Sequence, residues 1–460
     1  MQIGRKDILW NYAATFLKIT SSVLLIPLIL KMMPTDMVGI WTVFMTITSF
    51  AALLDFGFNP SFTRNVTYIF SGVKALKTTG FEPVQIDDAS VDYSLLKGVI
   101  AAMRWLYLRM ALVLFLLLAS LGTWYIHSIL QNYKGSHQEV YIAWALLCVI
   151  NTYNIFTLYY DSLLEGKGLI KRAKQIVIIG QLVYLIIAAL MIICHYGLIA
   201  IVSAQMSSVV IIRWLSSRSF FTTEIKQQLD VEESASKREV LRLIYPNALK
   251  IGLTSFGGFM VQKSAIIIGA LYLTLKEIAS YGISMQIIAV IAALSNIYIS
   301  TYQPKIAHLR VSKSIPAIRD IYFKGLIVLL LTYLIGATGL LFMGNWFLGL
   351  IGSKTLLMPF RFLSLALVLS LVETNLSMAG NILLTKNEVP FFKASILSGF
   401  CTIIGLFIAF TYLKLGFVSM IIVPLVIDLA YQGWKWPWEV VKDLNIRPRI
   451  VALNIAKIKL

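Results

Sequence analysis

Charge is scarce in this chain, and so are the residues that build metal and redox sites. Of 460 residues, 13% are Asp, Glu, Lys or Arg, and there are only four histidines and three cysteines. Cys148, Cys194 and Cys401 each fall inside an apolar stretch, so no disulfide and no metal cluster is expected. His127, His137, His195 and His308 are scattered near the ends of apolar runs. There is no HExxH pair and no GxxxxGK[ST] phosphate loop, which excludes a zincin centre and an ATPase of the chain's own. No enzymatic centre and no cofactor are expected. Any energy for work must come from an ion gradient, a substrate gradient or the membrane potential.

What is abundant is apolar surface. The chain is 58% hydrophobic with a mean hydropathy of +0.80, a balance that belongs to a polytopic membrane protein. A bilayer core about 30 Å thick needs about 20 apolar residues per span. That rule gives about twelve spans, at 8–30, 37–60, 99–126, 139–162, 173–195, 197–218, 241–272, 278–302, 317–343, 357–384, 391–413 and 416–436. The first is too long for a cleavable signal, and a second follows at once. With the N-terminus inside, most of the 40 Lys and Arg fall on the cytoplasmic side. Lys31, Lys134, Lys276, Lys354 and Lys414 fall outside. The asymmetry supports an even span count, with both termini cytoplasmic. The net charge of +18 then points to orientation and anionic lipid, with no nucleic acid implied.

An internal repeat organises the chain. Asp36-Met37-Val38-Gly39-Ile40-Trp41 returns as Lys276-Glu277-Ile278-Ala279-Ser280-Tyr281. Asp161-Ser162-Leu163-Leu164-Glu165-Gly166-Lys167 returns as Asn381-Ile382-Leu383-Leu384-Thr385-Lys386-Asn387, and Tyr196-Gly197-Leu198 as Leu415-Gly416-Phe417. Six spans followed by six of the same orientation imply parallel halves related by an axis along the membrane normal. The expected fold is all-α and polytopic, about twelve transmembrane helices in two six-helix bundles. The divisions are an N-terminal lobe at 1–218, a charged cytoplasmic connector at 219–239, a C-terminal lobe at 240–436 and a basic, Trp-rich tail at 437–460.

Polar residues inside the spans mark the candidate site, because charge in hydrocarbon costs roughly 3 kcal/mol or more and must face protein or water. Asn11, Thr15, Lys18 and Ser22 line one face of the first span. Lys18 is an anion-site candidate, or else a structural partner for Asp55. Asp55 and Arg64 lie toward the inner end of the second span, roughly 13 Å apart if that span is helical throughout. The seventh span carries Pro246, Asn247, Lys250, Thr254, Gly257, Gly258 and Gln262 on or near one stripe, with the deeper Lys263 just off it. Its proline and paired glycines would let it bend. In the tenth span Ser370, Glu373, Ser377 and Asn381 repeat at helical spacing, and the fourth offers Asn151, Asn154 and Asp161. Asp55, Glu373 and Asp161 are candidates for ion coupling, and an interhelical hydrogen bond is the alternative role for Glu373. Arg104 reads as an arginine snorkelling to the cytoplasmic face, while the deeper Arg109 is a cavity candidate. Trp105, Tyr107, Tyr153, Tyr159 and Tyr160 suit either sugar stacking or an interfacial belt.

The residues now carry a resemblance. The first span running into Pro34-Thr35-Asp36-Met37-Val38-Gly39-Ile40-Trp41, the ending Leu53-Leu54-Asp55-Phe56-Gly57-Phe58, and Leu163-Leu164-Glu165-Gly166-Lys167-Gly168 followed by Tyr196-Gly197-Leu198 resemble the Wzx-type polysaccharide flippases. These exporters of O-antigen and capsule units belong to the MOP superfamily, with the MATE drug exporters and the lipid II flippase. The likeness spans nearly the whole chain. It implies two bundles facing each other as a V, alternating access, and a bacterial inner-membrane location. The implied cargo is undecaprenyl-diphosphate-linked oligosaccharide, and the implied partners are the bilayer and a polysaccharide polymerase with its chain-length machinery. The family keeps a cationic cavity, which Lys18, Arg64, Lys250 and Lys263 would supply here. A MATE-like exporter of small cations is the alternative, though it leads one to expect more cavity acids. A membrane-embedded glycan-modifying enzyme is a third reading, disfavoured by the short external loops.

Overall fold

The structure is a computed structural model that describes residues 5–73, 91–131, 133–311, 314–386 and 390–446. Among the described residues every regular element is a helix. Ten helical segments there are long and apolar enough to cross a membrane. Large side chains left exposed along them, such as Leu112, Leu116, Ile186, Leu190, Ile335 and Phe342, form the apolar surface that lipid covers. The protein is a multi-pass membrane protein.

The chain divides into two compact units. The first comprises Met1–Met37 and Val43–Phe256; the second comprises Val38–Thr42 and Gly257–Leu460. In the first, α1 (Arg5–Met32) packs along α8 (Ile170–Ile193), and α8 packs against α9 (Gly197–Phe220). The others are α2 (Thr35–Leu53), α3 (Phe58–Phe70), α4 (Tyr93–Leu117), α5 (Thr123–Leu130), α6 (His137–Phe156), α7 (Tyr159–Gly166) and α10 (Thr223–Val231). Helix α11 (Lys237–Tyr272) contributes to both units. The second unit holds α12 (Leu275–Ser295), α13 (Ile297–Val311), α14 (Ile315–Leu350), α15 (Phe360–Leu384), α16 (Phe392–Thr411), α17 (Ser419–Ile427) and α18 (Gly433–Asp443). Its core joins α13, α14, α15 and α18 through Ile299, Ile318, Leu329, Met378, Ile382, Trp436 and Val440.

Local chemistry sets many of the helix ends. Asp92 caps α4 by accepting from the Leu95 N–H at 2.8 Å, and Thr274 with Glu277 forms a capping box at the start of α12. The connector is partly helical: Ile225 and Leu229 bury one face of α10. The segment after it is tied to α4, where Lys97 Nζ donates to the Glu232 carbonyl at 2.7 Å and the Ala235 N–H to the Ser94 carbonyl at 3.2 Å.

Two expectations of continuous spans are corrected. The second span is not helical throughout: α2 stops at Leu53 and α3 starts at Phe58, with Phe56 and Gly57 at φ 46° and 71°. A left-handed pair cannot continue a right-handed helix. Asp55 and Arg64 therefore sit on opposite sides of a break. The fourth span is likewise divided, at Thr157–Leu158 between α6 and α7.

Two of the three repeated sequence blocks coincide with repeated local structure. Asp36 and Lys276 are each the second residue of their helix, α2 and α12. The break after α2 has its counterpart at Asn296, between α12 and α13. The turn at His195 and Gly197 (φ 64° and 49°) returns at Lys414 and Gly416 (φ 50° and 59°).

Candidate functional site

In the first unit, polar side chains gather at the two helix breaks. The Asp55 carboxylate accepts the Asn59 N–H at 3.1 Å and the Tyr107 hydroxyl at 2.6 Å. It thus serves the free N–H groups at the start of α3, where the helix dipole favours negative charge. Tyr107, on α4, is fully buried and packs on Phe62 with ring centres 6.2 Å apart. The Ser162 hydroxyl of α7 donates to the Asn59 side chain and lies 3.1 Å from the Asn59 carbonyl. The two short helices α3 and α7 are therefore joined by hydrogen bonds as well as by packing.

The second break is spanned by Arg213 of α9. Its guanidinium donates to Asp161 Oδ1 at 2.6 Å and to Asn154 Oδ1 at 2.8 Å. Asn154 precedes the break and Asp161 follows it, so one buried arginine holds both sides. Arg213 is 6% exposed, so its buried charge depends on Asp161, and removing that partner would leave it uncompensated. Removing the Tyr107 hydroxyl strips a charge-assisted bond from Asp55, so Tyr107→Phe is expected to cost about 1–3 kcal/mol. A lowered thermal midpoint of the solubilised protein checks it; an unchanged midpoint would show that the bond contributes nothing.

In the second unit, Glu373 of α15 lies within electrostatic range of Lys263 on α11 and of Asp428, although no ion pair forms between them among the described residues. Further along, Arg310 and Lys386 both engage Asp443, and Arg310 Nε donates to Thr385 Oγ1 at 3.2 Å. This cluster ties α13, the end of α15 and α18 together.

No family model matches the sequence, and no curated relative does. Solved structures do match, along nearly the whole chain. An inward-facing multidrug resistance MATE family transporter of the MOP superfamily aligns with a TM-score of 0.61 at 13% identity, over 95% of this chain and 96% of that one. The lipid II flippase MurJ, in an inward closed conformation, aligns with a TM-score of 0.63 at 12% identity, over 97% and 89%. The fold is that of the MATE and MurJ transporters. An outward-facing MATE transporter aligns less closely, at 0.53 and 15%, over 96% of each chain.

Within this MATE- and MurJ-like fold the candidate residues scatter. The side chains of Asn11, Thr15, Lys18, Asn247 and Lys250 lie outside the described residues. Arg64 is exposed on α3 and makes no ion pair among the described residues. Arg109 is exposed beside Leu108, Leu112 and Val113, and its guanidinium lies 3.5 Å from the centre of the Trp105 ring; it joins no other candidate. Arg104 rests over Tyr159 and Phe221 at 5.9 and 5.7 Å. Asp161 is occupied by Arg213, and Lys263 shares a neighbourhood with Glu373. Sequence reasoning missed Arg213 and the tie between Tyr107 and Asp55. An arginine inside an otherwise apolar span was the available signal for the first; nothing local marked Tyr107 among many interfacial tyrosines.

Proposed function

We propose that this protein is a flippase that moves undecaprenyl-diphosphate-linked oligosaccharide from the inner to the outer leaflet of a bacterial cytoplasmic membrane, by alternating access. On this reading two six-helix lobes, 1–218 and 240–436, are joined by the connector at 219–239, and both termini and the basic tail at 437–460 are cytoplasmic. The fold shared with MurJ, whose cargo is lipid II, supports a lipid-linked cargo. The observation that favours this choice over a cation exporter is the set of arginines left free of carboxylates in the first unit. In the first unit Arg64, Arg104 and Arg109 have no carboxylate partner among the described residues, while the acids Asp55 and Asp161 are each already held by protein donors.

The chemistry agrees. Each sugar hydroxyl buried without a partner costs a few kcal/mol, so an oligosaccharide needs a polar path while its lipid tail stays in the bilayer. A diphosphate suits lysine and arginine. With the cytoplasm negative, outward movement of each negative charge is downhill by about 2.3 kcal/mol per 100 mV. Lys18 is assigned to the cargo path together with Arg64, Lys250 and Lys263, with a polysaccharide polymerase as the partner that consumes the exported unit.

Deleting the protein should leave lipid-linked sugar units on the inner leaflet, read by surface glycan staining and by leaflet-selective labelling. Lys18→Glu should abolish export while the protein still accumulates in the membrane. Normal surface glycan in the deletion strain, with drug sensitivity instead, would replace this reading with the cation exporter.

A further inference from the structure

Helix α4 leaves one face bare. Arg104 and Arg109 are exposed on it, among the exposed side chains of Leu108, Leu112, Val113 and Leu116. Nothing nearby neutralises the two arginines. The helix itself carries no acid. On the adjoining α7, Asp161 is taken by Arg213, and Glu165 by Lys174 at 2.9 Å. Helix α10, which also touches α4, brings Glu224 and Asp230, both exposed, and neither forms an ion pair with these arginines among the described residues. Charge of one sign on an apolar, lipid-covered surface is costly unless it meets a counter-charge.

The depth of the arginines follows from α9. Its 24 residues make a helix about 36 Å long, against a bilayer core of about 30 Å. Its last residue, Phe220, therefore lies at one edge of that core. Arg104 rests over the ring of the next residue, Phe221, at 5.7 Å, and over Tyr159 at 5.9 Å, which puts it at headgroup depth. Seven residues before it, Lys97 is tied to the Glu232 carbonyl, beyond the end of α9. The other direction along α4 leads into the core. There Leu108, Leu112 and Leu116 follow Arg104 at four-residue steps, an exposed apolar stripe about 18 Å long. The Arg109 backbone is about 7.5 Å deeper than that of Arg104. Its guanidinium folds back over the Trp105 ring at 3.5 Å, toward the N-terminus of the helix and so toward Arg104, as a snorkelling arginine does. A guanidinium stacked on a ring keeps its in-plane N–H donors free. Two such forks without a carboxylate suit the oxygens of a phosphate ester. A zwitterionic headgroup would set its own ammonium against the same two charges; an anionic one does not.

We propose that this face of α4 binds one anionic glycerophospholipid, its phosphate held by Arg104 and Arg109 and an acyl chain lying along Leu108, Leu112 and Leu116. The occupant is a bilayer lipid because charge and apolar stripe stand in line on one exposed helix face, the charge at the edge of the core and the stripe within it. The site is separate from the residues assigned to the cargo path. Only its leaflet, the inner one, rests on the flippase reading.

The test uses the full chain, delipidated in detergent and titrated with phosphatidylglycerol or with phosphatidylcholine of the same acyl chains. Bound copies are counted by native mass spectrometry. The first phosphatidylglycerol should bind at least about tenfold tighter than the first phosphatidylcholine, as charge-assisted bonds to two arginines imply. With Arg104→Gln and Arg109→Gln combined, that preference should fall to about threefold or less. A preference equal to the wild type's puts the tight lipid elsewhere and overturns the site, as does a wild type with no preference. Should the double variant fail to fold, Trp105→Ala keeps both charges and removes the ring that seats Arg109. It should weaken phosphatidylglycerol at least about threefold and leave phosphatidylcholine unmoved; no change overturns the site. Undecaprenyl phosphate and inorganic phosphate are the competitors. Phosphatidylglycerol that outlasts both at equal concentration supports the phospholipid. Displacement by undecaprenyl phosphate gives the face to a polyprenyl lipid, and displacement by inorganic phosphate makes it a site for phosphate alone; either overturns the proposal. Glycan export in the deletion strain is scored separately. Normal export with the lipid preference intact keeps the site and removes the flippase reading, and lost export without a lipid preference does the reverse.

Discussion

Asp161→Ala should destabilise the protein more than Arg213→Leu. Both substitutions break the ion pair that spans the α6–α7 break, but they strand different partners. Arg213 is 6% exposed and its Nε already lacks a partner; without Asp161 its charge is left buried beside Asn154 alone. Asp161 is 36% exposed, so without Arg213 it can take up water. Breaking a buried pair by removing one member costs about 3–5 kcal/mol. That range applies to Asp161→Ala, and about half of it to Arg213→Leu, where solvent relieves the stranded carboxylate. The double substitution should be milder than Asp161→Ala alone, since no charge is left uncompensated. Thermal midpoints of the four proteins check the order. Equal losses for the two single variants would mean that the pair is solvated on both sides.

Gly166→Leu should prevent stable folding, and Gly166→Ala should cost about 1–3 kcal/mol through overpacking. Gly166 ends α7 where it meets α3. A Cβ there would lie 2.6 Å from the Val66 Cβ and Cγ1 and 2.8 Å from the Thr63 carbonyl oxygen. Val66 is fully buried, and the Thr63 oxygen is backbone, so neither can move aside cheaply. Val66→Ala removes only the Cγ atoms, so in the Gly166→Ala background it should restore part of the loss and no more. Yield and thermal midpoint of the purified variants are the measurements. A Gly166→Leu protein with wild-type stability would mean that α3 and α7 are free to separate.

Both sites involve α7, and the breaks before α3 and α7 were only half legible in the sequence. The run Leu53–Phe58 and the run Leu163–Gly168 drew notice as motifs, and the first contains the break. Apolar periodicity, however, made each run look like the end of a continuous span. Hydropathy averages over a window about as long as a bilayer crossing, so it is blind to a single residue with positive φ. Phe56 is not a residue type that announces a left-handed conformation; Gly57 after it was the one local hint. The internal repeat was more informative, because it rests on several short blocks that fall at matching helix starts and turns.

Composition and order along the chain determined that this is a many-span helical membrane protein, because backbone in lipid must satisfy its own hydrogen bonds and apolar segments of that length have no other stable form. They also determined the repeated blocks and the uneven spread of basic residues among the loops. Only the tertiary structure decided which polar groups meet. Asp161 finds Arg213, far along the chain, Asp55 finds Tyr107, and the Asp428 carboxylate has no hydrogen-bond partner among the described residues. Those outcomes depend on how helices distant in sequence pack and on where two of them break. A charge in a span declares that it needs a partner, and the packing of the other helices decides which one it gets.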